Sequence, residues 1–114
     1  MRRDDHIRIQ HMLDSAKEAI SFAKNRTRND LDGDRMLTLS IVKSVEIIGE
    51  AASKVTEETR ELIHEIPWSD ITAMRNRLIH GYFDINLDIV WNTITDDLPH
   101  LISILDKIVS EKDS

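Results

Sequence analysis

The apolar residues in the last quarter of the chain set the tightest limit on the fold. Leu87, Val90, Trp91, Ile94, Leu98, Leu101, Ile102, Leu105 and Ile108 recur at steps of three and four. They hold that phase for about six turns, the spacing that lines one face of an α-helix. A strand cannot use this pattern, because its side chains alternate with a period of two. Asn86 is placed to cap the helix at its start. Pro99 falls inside it and removes one backbone donor, so a bend is expected near Thr95 to Pro99, with Asp96 or Asp97 recapping the second half.

The same period appears upstream. Ile9, Met12, Leu13, Ala16, Ile20 and Ala23 predict a first helix from Asp4 to about Lys24. Lys24 to Arg35 loses the period and is dense in Asn, Asp, Gly and charge, so a polar connection is expected over about 25–34. Leu37, Ile41, Val45, Ile48, Ala52 and Val55 define a second helix from about Asp34 to Val55. Val42 and Ile47 flank that face and widen it, and Gly49, Ala51, Ala52 and Ser53 would admit a close partner backbone. Thr56 followed by Glu57 and Glu58 reads as the start of a short helix reaching about Glu65. After Pro67, Ser69 is the expected cap of a fourth long helix that buries Ile71, Met74 and Leu78 and stops at Gly81.

These elements make an all-α, up-and-down bundle of four long helices and one short one. At 114 residues the chain reads as a single domain over 1–114, frayed at about 110–114. Three Gly and two Pro leave little material for hairpins, and no Cys is present for a disulfide or a Cys-ligated zinc. No apolar run approaches the roughly 20 residues of a membrane span, and no signal sequence is visible, so a cytoplasmic protein without a membrane anchor is expected. A net charge of −6 argues against nonspecific coating of nucleic acid, so any RNA contact must be a local cationic pocket.

Such a pocket is available in Met74 to Asp84, MRNRLIHGYFD, where two Arg, an Asn, a His and a Tyr fall within eight positions. Thr72, Asn76 and His80 are four apart and share a stripe, and Arg75 lies one position off it, so the polar set is expected to face outward together. His80 is expected at the helix C-terminus, where the macrodipole favours its protonated form. RNA cleavage by internal transfer needs a proton taken from the 2′-OH, a proton given to the 5′-oxygen, and positive charge on the phosphorane. His and Arg suit those needs without a metal or cofactor. One His per segment suggests two copies meeting across a two-fold axis. Arg77 fits either an extra phosphate contact or a solvated surface residue, and Tyr82 can equally pack the turn.

His6, His11, His64 and His100 lack ligand spacing and are read as surface or interface residues. Asp30, Asp32 and Asp34 are spaced like the start of a calcium loop, but Arg35 stands where Gly is needed and Ile41 where Glu is needed. Trp68 and Trp91 are expected in the core or at an interface, Trp68 nearer the site.

RNRLIHGY fits the R-x4-H-x-Y signature through Arg75, His80 and Tyr82, and here the chain resembles the HepT-like branch of the HEPN superfamily. The resemblance extends through SVEIIGEAASKV, IPWSDITAMRNRLIHGYFDIN and VWNTITDDLPHLI, roughly residues 5 to 110. Asn76 fills the polar position that typically follows the motif Arg. What the resemblance implies is a homodimeric, metal-independent endoribonuclease toxin cutting tRNA or mRNA, with Arg75 and His80 of both subunits in a cleft and Asn76 and Arg77 in support. It also implies an MNT-type nucleotidyltransferase antitoxin that silences the toxin by AMPylating Tyr82. Two alternatives stay open: a noncatalytic helical dimer that regulates such a nucleotidyltransferase, and a HEPN module that binds nucleotide without cutting RNA.

Overall fold

A computed structural model describes residues 1–79 and 84–113, and every described element is helical. Helix α1 is Arg3–Phe22, α2 Asp30–Gly33, α3 Arg35–Ser53, α4 Glu57–Leu62 and α5 Trp68–Ile79. Helix α6, Leu87–Asn92, passes through a π-helical turn, Thr93–Asp97, into α7, Leu98–Asp113. Helix α1 packs on α3 and α7, and α5 packs on the other flank of α3. The expected periodic residues meet in one core, with Ile9, Met12, Ile41, Ile48, Leu98 and Leu105 sealed from solvent. The extents are 43 × 27 × 18 Å. With helix axes about 8–10 Å apart, the shortest dimension holds only two helix layers.

Helix α1 ends where Asn25 adopts φ 63°, a left-handed position that Asn tolerates better than most residues. The polar connection is not wholly irregular, because it contains the one-turn α2, pinned by the buried Leu31. Asp34 caps α3, its carboxylate accepting from the Leu37 N–H at 3.0 Å while pairing with Arg26 at 2.8 Å. Those two partners, the N–H foremost, hold its carboxyl below the ordinary value. The Asp30 carboxylate likewise accepts from the Thr27 N–H at 2.6 Å, so these acidic residues serve local turns and caps.

Thr56 and Asn86 cap their helices as the sequence predicts. Ser69 does not: α5 begins at Trp68, two residues earlier than a Ser69 cap would set it, and the Pro67 carbonyl takes the first helical bond from the Ile71 N–H at 3.0 Å. The last helix differs more. Instead of a proline kink recapped by an Asp, the chain widens into a π turn in which the Leu98 N–H reaches back to the Thr93 carbonyl. Pro99 supplies no donor, and the Thr93 and Thr95 hydroxyls donate to the Ile89 and Trp91 carbonyls at 2.8 and 3.1 Å. Such back-bonding loosens a helix locally. Helix α7 then continues through Asp113, so the tail expected to fray is helical.

One buried carboxylate joins distant parts of the chain. Asp5 is 1% exposed, and it accepts hydrogen bonds from the Thr56 N–H at 3.0 Å, the Thr56 hydroxyl at 2.6 Å and the Thr59 hydroxyl at 2.5 Å. Burial alone would raise its pKa, but these donors, with the charge of Arg2, bring it below the ordinary carboxylate value. Asp5 stands four positions before Ile9, in phase with the apolar stripe of α1, and that is the signal by which the sequence announces it.

Candidate active site on α5

The start of α5 is fastened by Trp68 and Arg60. The Trp68 indole N–H donates to the Ile63 carbonyl at 3.1 Å. Its ring lies under the Arg60 guanidinium, 5.3 Å from the ring centroid. Arg60 also donates to the Ala52 carbonyl at 2.6 Å and the Val55 carbonyl at 3.3 Å, stabilising the electronegative end of α3. Trp68 is therefore half-buried scaffold at the root of the helix that carries the motif, and Trp91 is half-buried against the core.

From that root, Ile71, Met74 and Leu78 enter the core as predicted. The polar side chains do not all face one way. Thr72 and Asn76 are exposed. Arg75 is half-buried and turns toward α3, where its stem crosses Gly49. A β-carbon at position 49 would lie 3.0 Å from Arg75 Cγ and 3.1 Å from Cβ, and would overlap Arg75 Cδ. The small residues of α3 thus admit a long side chain of a neighbouring helix of the same chain at Gly49. Arg75 Nε is fully enclosed and has no hydrogen-bond partner among the described residues. An enclosed unpaired donor costs about 1–3 kcal/mol, so this arginine is not placed there for stability alone.

Arg77 emerges on the other side of α5. Its guanidinium pairs with Asp97 of the π turn at 3.4 Å, both side chains nearly half exposed. The pair borders a cavity of about 260 Å³ between α5, the π turn and α7, also lined by Asp70, Met74, Asp96 and His100. The cavity lies apart from the Arg75–Gly49 contact, so Arg75 and Arg77 belong to different surfaces. His11, His64 and His100 are exposed and His6 is half-buried. No group of three or more His, Asp or Glu is arranged to hold a metal ion among the described residues. His80 and Tyr82 lie outside the described residues, as does the Gly81 stop.

The described residues form an all-helical bundle in which one core helix carries Arg75, Asn76 and Arg77, an arrangement consistent with a HEPN-type bundle. The chain belongs to the HepT-like ribonuclease family, whose model, "Ribonuclease HepT-like", matches residues 12–108. It is 36% identical over 104 residues to a protein of Caldanaerobacter subterraneus subsp. tengcongensis named "Putative RNase", covering 91% of this chain and 93% of that one. It is 32% identical over 100 residues to "Probable ribonuclease HepT" of Thermococcus cleftensis, covering 84% and 91%. It is also 34% identical over 113 residues to a Methanocaldococcus jannaschii protein named "Gamma-glutamylcyclotransferase and putative RNase". That match covers 99% of this chain but 51% of the relative, so the chain spans about half the length of that protein. No solved structure gives a match. No described helix is long and apolar enough to cross a membrane.

Proposed function

We propose that the chain is the toxin of a toxin–antitoxin pair, a metal-independent endoribonuclease that cleaves tRNA or mRNA through Arg75 and His80. One observation carries the reading: the complete R-x4-H-x-Y signature falls inside the segment matched by the HepT-like family model. The chemistry of the residues supports it. Imidazole at His80 moves protons between the 2′-oxygen, solvent and the 5′-oxygen, and the Arg75 fork stabilises the extra charge of the phosphorane. Asn76, exposed beside Arg75, is suited to hydrogen-bond RNA, and Arg77 adds positive charge for a more distant phosphate.

The active unit in this reading is a homodimer, in which each copy brings one His80 to a shared cleft. The solvent face of α3 supports that assembly. Met36 is 81% exposed, and Leu39 and Ile47 are also exposed on this helix. A group of exposed large apolar residues on one helix face suits a protein contact. The partner is an MNT-type nucleotidyltransferase antitoxin that moves AMP from ATP to the Tyr82 hydroxyl. A bulky anion two positions from His80 would block the cleft and repel RNA phosphate. The protein acts in the cytoplasm with no bound cofactor.

The test is cleavage of total tRNA in EDTA by wild type, Arg75→Ala and His80→Ala, with fragment ends analysed. Fragments ending in cyclic phosphate, from wild type alone, are expected. Loss of cleavage on adding EDTA would overturn the metal-independent chemistry. No fragments from protein whose mass shows Tyr82 unmodified would favour a noncatalytic partner of the nucleotidyltransferase.

A further inference from the structure

Gly49 stands in the interior of α3, a place where glycine weakens a helix and alanine would strengthen it. It is buried, and no turn or positive φ requires it. What requires it is Arg75, whose stem lies on the bare backbone in the space a β-carbon would occupy. Gly33 is the contrast, since a β-carbon there would meet nothing within 4 Å.

We infer that Gly49 is a positioning residue for Arg75: the absent side chain forms a channel on α3 that holds the arginine stem flat and so fixes where its guanidinium is presented. An arginine stem has several rotatable bonds, and confining it by backbone on one side aims the head without a hydrogen bond to Nε. Any side chain at position 49 lifts the stem off α3 and moves the charge away from its place. The inference rests on the ribonuclease reading for its effect on cleavage, but the packing relation stands on the geometry alone.

The experiment compares wild type, Gly49→Ala, Arg75→Ala, Arg75→Lys, the two double variants and Gly33→Ala, measuring melting temperature and tRNA cleavage on each. Gly49→Ala is expected to lower kcat at least about tenfold with KM within about threefold, because the charge it displaces acts on the transition state. In the Arg75→Lys background, which keeps the stem and part of the activity, the same substitution should lower cleavage again, whereas Arg75→Ala and its double variant should be equally inactive. In the Arg75→Ala background it should also lower the melting temperature less than it does in the wild-type background, since Cδ and Cγ are gone and only the tight Cβ contact remains to oppose alanine's helix preference. Gly33→Ala should cleave like wild type. Wild-type kcat for Gly49→Ala, or a melting-temperature loss from Gly49→Ala that is the same with and without the Arg75 stem, would overturn the inference. If Gly49→Ala fails to fold, a folded Gly49→Ala/Arg75→Ala variant supports it, and failure of both overturns it. If wild type cuts no RNA, the ribonuclease reading falls, and the melting temperatures alone decide whether Gly49 accommodates Arg75.

Discussion

At Arg75 two requirements meet in one side chain: the stem must cross α3 without a clash, and in the proposed chemistry the head must reach phosphate. Lysine satisfies the first and not the second, because its ammonium is a point charge without the planar fork. Arg75→Lys is therefore expected to keep the melting temperature near wild type and to lower single-turnover tRNA cleavage at least about tenfold. A rate within twofold of wild type would show that bidentate donation is not used. Arg77 gives the opposite pattern. Its pair with Asp97 is largely exposed, so Arg77→Ala should change stability by no more than about 1 kcal/mol. If it binds phosphate, KM should rise and the salt dependence of binding should flatten, with kcat unchanged.

Among the elements, α4 depends on a residue far from it in sequence. The Thr56 and Thr59 hydroxyls donate into Asp5, and the amide retained in Asp5→Asn cannot accept all three donors on equal terms. Asp5→Asn is expected to cost about 2–3 kcal/mol at pH 7, measured by urea unfolding. Because the Asp5 carboxyl has a lowered value in the folded state, its contribution is complete above the ordinary carboxylate range, near pH 4 and up. It is lost as pH falls through the folded value. Wild type should therefore lose stability more steeply than Asp5→Asn below pH 4, and parallel acid limbs would show that Asp5 carries no such linkage.

The periodic helices were open to reading because each buries a continuous apolar face, and the caps at Thr56 and Asn86 because capping is local. Less was legible where a distant group decides the outcome. Ser69 has the chemistry of a cap, but α5 starts two residues earlier, at Trp68, which is tied to Ile63 and Arg60. The π turn depends on threonine back-bonds that a proline rule does not contain. Of the candidate site, the exposure of Asn76 followed from its phase. The turn of Arg75 onto Gly49 did not, because helical phase on α5 cannot specify which neighbour lacks a side chain.

For the whole molecule, thickness governs behaviour. A body 18 Å through gives each helix a solvent side, and on α3 that side carries Met36, Leu39 and Ile47. If a second copy covers this face, Met36→Lys/Ile47→Lys should yield a folded monomer by light scattering, with helix content unchanged and tRNA cleavage lost. A double variant that stays dimeric and active would place the contact elsewhere. Neither position is in the core, so the substitutions themselves should alter monomer stability by only about 0.5 kcal/mol each.

The Asp5 contact also imposes an order on synthesis. The carboxylate is made about fifty residues ahead of its three donors on Thr56 and Thr59. Until both threonines have left the ribosome, Asp5 faces water, and the N-terminal end of α1 lacks the anchor it has in the finished chain. Helix α1 can coil early, but its attachment to α4 must wait for the fifty or so residues between them to emerge. Closing so long a loop makes that joint one of the later events of folding.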